Sequence, residues 1–239
     1  MQRELTALAD RLGSTYGDRL VSVILYGSAA SGDVHGRYSD LNIFCVLNEV
    51  TPRELADSES VFRWWRELGH PAPLLMSEEE ARNSADCFPI EFEDMKARRR
   101  VLKGRDVVAT LSVDRRNWRV QIEHELRSKL LRLRQQATAV LSDRDRLLKL
   151  CLDSFSTFVV LGRHALLYSG RNVPAAKRLV VHEFGAVLGA PLTAFESLLD
   201  VREEKTPPQD VDAVSLFGKY LKQIEQLIVF VDGLEERNV

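Results

Sequence analysis

Beyond residue 110 the chain carries only one hydrophobic period. Trp118, Ile122, Leu126, Leu130, Leu133, Ala137 and Leu141 recur every three or four residues behind Asp114, the apolar stripe of one long helix. Leu147 to Tyr168 is apolar on most faces, as the central helix of a bundle would be. Further helices are expected from Pro174 to Leu188 and from Leu192 to Val201. After the break at Thr206-Pro207-Pro208, a last one carries Phe217, Tyr220, Leu221, Ile224, Leu227 and Val231. No strand signal survives in this half, so its helices with short connections read as an antiparallel bundle.

The first half alternates. Leu5, Leu8, Ala9 and Leu12 predict an opening helix that stops between Gly13 and Gly17. Val21–Tyr26 and Leu41–Leu47 are short, β-rich runs bounded by Gly and Asp, hence strands. Thr51-Pro52-Arg53-Glu54 opens a helix with a capping box and proline in its first turn. Its expected core stripe is Leu55, Phe62, Trp65 and Leu68. Pro71–Met76 predicts a third strand, and Ser77 to Glu80 a second capping box. Phe88–Met95, FPIEFEDM, alternates apolar and acidic residues and is expected as a fourth strand, before a basic run from Lys96 to Arg105. The expected fold class is therefore α+β: a small mixed-sheet domain over residues 1–110, then an all-α helical bundle over 111–239.

Bulk properties narrow the class of function. Net charge is −2, which offers no global pull towards nucleic acid or membrane. The first 20 residues are charged and amphipathic, unlike a secretory leader. The longest apolar runs are broken by charges, so no membrane partner is expected. Cys45, Cys87 and Cys151 lie far apart without zinc-site spacing, which predicts reduced, buried thiols in a cytoplasmic protein.

The chemistry concentrates in VILYGSAASGDVHGRYSDLNIFCVL, residues 23–47. A glycine such as Gly27 lets backbone approach a phosphate, and Ser28 adds a hydroxyl at a turn whose amides suit an anion. On a strand, positions 40 and 42 point the same way, so Asp40 and Asn42 converge. Phosphoryl transfer asks the protein mainly for positioning and charge neutralisation, and divalent ions held by carboxylates supply the latter. On a FPIEFEDM strand Glu91 and Glu93 would share the open face, with Asp94 on the other. Glu91 is the preferred third carboxylate; a solvated, charged edge strand is the plain alternative.

Tyr26-Gly27-Ser28, eleven intervening residues and Asp40-Leu41-Asn42 resemble the signature of the polymerase-β-like nucleotidyltransferases, a small-residue turn followed by Asp-x-Asp on a strand. The domain order is similar to that of bacterial aminoglycoside nucleotidyltransferases. It is similar also to bacterial nucleotidyltransferase-domain proteins in which Phe-Pro-Ile-Glu-Phe precedes a basic segment ending Val-Leu-x-Gly. The resemblance implies that Gly27 and Ser28 touch a nucleoside triphosphate, that Asp40 and Glu91 are catalytic, and that Asp40, Asn42 and Glu91 hold Mg²⁺ or Mn²⁺. It further implies transfer of a nucleoside monophosphate to a hydroxyl of a small-molecule acceptor.

Asn42 departs from that signature where a second aspartate is expected. An amide oxygen can ligate a cation but brings no charge. Two readings follow: an enzyme, or a nucleotide-binding pseudoenzyme or antitoxin-like interaction module. The basic helix around residues 115–134 leaves nucleic acid open as a partner, although Arg119 is spaced to pair with Glu123. Exposed helical faces leave dimerisation open as well.

Overall fold

The computed structural model describes residues 1–31, 41–113 and 116–234. The chain falls into two compact units, Met1–Arg115 and Arg116–Val239.

In the first unit, α1 (Gln2–Tyr16) leads into β1 (Leu20–Tyr26), followed by β2 (Asn42–Leu47), α2 (Pro52–Glu67) and β3 (Leu74–Ser77). Two short helices, α3 (Glu78–Asn83) and α4 (Pro89–Ala97), precede β4 (Arg99–Gly104). The sheet order is β3-β2-β1-β4, with β1 antiparallel to both neighbours and β2 parallel to β3. Alternation sorts the strand residues between two cores. Val23, Leu25, Ile43, Cys45 and Leu47 pack with α1 and α2, while Ile24, Phe44 and Val46 pack with Phe92, Met95, Val107 and Val108. Burial on both faces explains why β1 and β2 read as nearly continuous apolar runs.

Three expectations are corrected here. FPIEFEDM is helix, not strand. Pro89 sits in the first turn, and the Phe92 and Arg98 amides donate to the carbonyls of Phe88 and Asp94, four residues back. Ile90, Phe92 and Asp94 are buried at alternate positions, as a strand would have them, but buried Met95 breaks the alternation. The fourth strand is instead the basic segment RRVLKG. As the sheet edge it needs little apolar content, and charged residues suit an edge that must not pair further. The α2 stripe is only half as expected: Trp65 is buried and Phe62 packs against the core, but Leu55 and Leu68 are exposed, and Glu54, Ser58 and Val61 complete the buried face. Of the thiols, Cys87 is exposed, while burial pushes those of Cys45 and Cys151 up to about 12.

The second unit holds α5 (Trp118–Ala137), α6 (Arg144–Tyr168), α7 (Lys177–Leu188), α8 (Thr193–Arg202) and α9 (Ala213–Asp232). Ion pairs Arg127–Asp232 and Arg134–Glu225 show that α5 and α9 run antiparallel. The α6 helix packs against each of the other four. At 25 residues it is long and apolar enough to cross a membrane by length and composition, but much of that apolar surface is buried within the bundle. Asp143 and Asp212 cap α6 and α9. The α8 N-terminus lacks a cap of its own and borrows one: buried Gln223 accepts from the amides of Ala194 (3.1 Å) and Phe195 (3.4 Å).

Glu54 ties α2 to the turn before β1. Its carboxylate accepts from Thr51 and from Arg19, whose other nitrogen reaches Asp57 at 2.7 Å. The Thr51 hydroxyl, then Arg19, hold the buried carboxyl down to about 2 from an ordinary 4.5. Because the folded pKa is depressed, the stabilisation is present above pH 4.5 and is lost as pH falls towards 2. We expect Glu54→Gln to lower the urea midpoint at pH 7, and the gap from wild type to close as pH is lowered through that window. A gap that is constant with pH would mean the charge contributes nothing.

Candidate functional site

The turn after β1 is built around Gly27. Its φ of +79° is a conformation that side-chain-bearing residues rarely adopt. Its amide donates to the Arg98 carbonyl at 3.1 Å, and its carbonyl accepts from the Ala30 amide at 3.1 Å. Residues Ser28–Ser31 then form a short 3-10 turn. Asn42 opens β2 directly opposite Tyr26, which on its other side opposes Arg99. Directly paired residues share a sheet face, so Asn42, Tyr26 and Arg99 stand on the side covered by α4. The Asn42 amide nitrogen lies 3.4 Å from where a Gly27 side chain would begin. The turn and Asn42 are thus immediate neighbours. Asp40 falls outside the described residues.

Although Glu91 lies on a helix, α4 still brings it to this end of the sheet. The edge-on contact of Phe92 with Phe44, ring centres 6.1 Å apart, pins the helix over β2. The Tyr26 hydroxyl is pushed above its ordinary value near 10, first by burial and then by the charges of Glu91 and Asp94. The helical register changes which acids act together. At about 100° per residue, Glu91 and Asp94 are neighbours three apart, while Glu93 is turned away. The strand reading puts Asp94 on the opposite face, and it takes Tyr26 only as the end of a strand and the start of the turn. The signal that would have placed both is Phe88-Pro89, a proline one residue into an acidic first turn.

The donors described here are oxygen: the Asn42 amide and the carboxylates of Glu91 and Asp94. Such a set suits a hard divalent ion, which commonly takes one or two carboxylates and completes its shell with water and substrate phosphate. Among the described residues no three His, Cys, Asp or Glu side chains form a metal cluster.

The positive charges are mostly committed. Arg99 meets both oxygens of Asp106 at 2.9 Å, lowering the Asp106 pKa, and Arg105 pairs with Glu78. On α5, Arg119 and Arg127 share Glu123 at 3.1 and 2.7 Å, and Lys129 meets Glu125 at 3.3 Å. This is the pairing expected at i,i+4, and it leaves the helix less basic than its sequence reads.

No family model and no curated protein matches the sequence. Among solved structures, the spectinomycin adenyltransferase AAD(9) of Enterococcus faecialis, determined with ATP and spectinomycin, has a TM-score of 0.63 and 12% identity. The match covers 97% of this chain and 99% of that one. The chain therefore shares the α+β fold of that adenyltransferase.

If Glu91 stands beside Tyr26, Glu91→Gln should lower the Tyr26 titration midpoint in a pH series read by ultraviolet absorbance, with Tyr26→Phe identifying the signal. The midpoint should stay above 10, because burial is the larger cause. An unmoved midpoint would separate Glu91 from this end of the sheet.

Proposed function

We propose that the protein binds a nucleoside triphosphate together with one Mg²⁺ and transfers the nucleoside monophosphate to a hydroxyl of a small molecule. The observation that carries this reading is the positive-φ Gly27 turn packed on Asn42, within the fold of an adenyltransferase. Backbone amides of the turn after Gly27 would take phosphate oxygens, and glycine at 27 keeps that approach open. Asp40, Asn42 and Glu91 would hold the ion, for which Mn²⁺ is an alternative. When bound, it would neutralise charge on the transferring phosphate and on the leaving group. In the step, the acceptor oxygen bonds to the α-phosphorus, the bond to the β-phosphate oxygen breaks, and pyrophosphate leaves. The acceptor hydroxyl's proton passes to a carboxylate, for which exposed Glu91 is the candidate. The structural neighbour was determined with ATP and spectinomycin; an aminocyclitol is accordingly the first acceptor to try. A cytoplasmic protein is the setting proposed for this chemistry.

A second reading draws on Asn42 itself. Its amide nitrogen faces the turn, and a donor there can meet a phosphate oxygen directly, where a carboxylate would need a cation between. That arrangement suits nucleotide binding without turnover.

Calorimetry separates the readings. Wild type should bind ATP with Mg²⁺, and Asn42→Asp should tighten Mg²⁺ in the ternary complex by about tenfold, since ion affinity follows ligand charge. Product from ATP and an acceptor, lost in Asp40→Ala, supports the enzyme. Binding without product, and Mg²⁺-independent, supports the pseudoenzyme. Absence of ATP binding at millimolar concentration contradicts both.

A further inference from the structure

The basic run from Lys96 to Arg105 does not behave as one patch. Lys96 donates to the Leu111 carbonyl at 2.7 Å, Arg99 is held by Asp106 and by the Lys96 carbonyl, and Arg105 pairs with Glu78. Arg100 and Lys103 are exposed to solvent. Arg98 differs from all of these. Its side chain is only 12% exposed, and its one ion pair among the described residues is Nη2 to Asp94 Oδ1 at 3.5 Å. That distance is at the outer limit of a hydrogen bond. Its Nε is buried and has no hydrogen-bond partner among the described residues.

A guanidinium offers five N–H donors in a fixed fork. Burying one behind a single long contact is costly unless another group completes its hydrogen bonding. The location says which kind of group. Arg98 ends α4, and its carbonyl is the acceptor for the Gly27 amide. The residue that fixes the backbone of the phosphate-suited turn therefore also carries the under-used cation. Its partner Asp94 is one of the two carboxylates that act on Tyr26, opposite Asn42. Asp94 would hold the fork by one edge and leave the other free for an anion.

We infer that Arg98 is a binding residue for the polyphosphate chain of the ligand, its guanidinium taking phosphate oxygen beside the Gly27 turn. The identity of that ligand as a nucleotide rests on the function proposed above; the anion site at Arg98 does not. Charge-assisted, forked contacts to phosphate are among the stronger polar interactions and favour arginine over lysine.

The test is calorimetric titration of the full chain with inorganic tripolyphosphate without metal, and separately with ATP and Mg²⁺. Arg98→Gln should lose at least about tenfold in affinity for both ligands. Arg98→Lys, which keeps the charge but not the fork, should lose less. Arg100→Gln, an exposed neighbour, should lose little, and thermal midpoints should confirm that each variant folds. Unchanged affinity in a folded Arg98→Gln overturns the inference, as does an equal loss in Arg100→Gln. If Arg98→Gln does not fold, unchanged affinity in Arg98→Lys overturns it. Wild type that binds tripolyphosphate through Arg98 but not ATP keeps the anion site and removes the nucleotide reading. ATP binding indifferent to Arg98 does the reverse, and wild type that binds neither ligand removes both.

Discussion

One backbone hydrogen bond, from the Gly27 amide to the Arg98 carbonyl, joins the parts that matter in the N-terminal unit. It ties the end of the central strand β1 to the junction between α4 and β4. Only a residue at ease with a φ of +79° can make that turn at that point. Everything placed near the turn depends on this closure: Asn42 through its pairing with Tyr26, Glu91 and Asp94 through α4, and Arg98 through its own carbonyl. The sheet is buried on both faces, so the strand ends have little freedom to shift without disturbing two cores at once.

The electrostatic character of this end is mixed, and the mixture is informative. Two carboxylates act on a partly buried phenol, a neutral amide stands where the resembled signature has an acid, and one of the carboxylates is paired with a poorly satisfied guanidinium. A second aspartate would have made the cluster repel phosphate unless well supplied with cations. With asparagine, phosphate can approach with less metal. Binding is thereby less demanding while the transition-state charge is less well met. On the proposed function, the same substitution would pull the site towards retention of nucleotide and away from fast transfer.

Much of this was legible in the sequence, for reasons that particular residues make plain. The β1 and β2 strands carry uninterrupted apolar runs because both faces are buried, and the capping boxes at Thr51 and Ser77 form as spelled. The α4 segment reads as a strand because Ile90, Phe92 and Asp94 alternate with less buried residues, and only Met95 breaks that alternation. Pro89 is the deciding residue, because proline favours the first turn of a helix. The β4 strand was invisible as a strand because an edge needs few apolar side chains. The α2 face was misplaced because its core side is partly polar: Glu54 and Ser58 are buried through hydrogen bonds, which hydrophobic periodicity does not register. Asp94, Tyr26 and Arg98 emerged only with the correct helical register, since their proximity is a property of α4 lying over the sheet.

The most direct test is a crystal structure of the protein with a non-hydrolysable ATP analogue and Mn²⁺, using the anomalous signal to locate the ion. The account predicts one Mn²⁺ among Asp40, Asn42 and Glu91, with the triphosphate on the Gly27 turn and within reach of Arg98. An analogue bound elsewhere, or an ion with no ligand from this set, would contradict it.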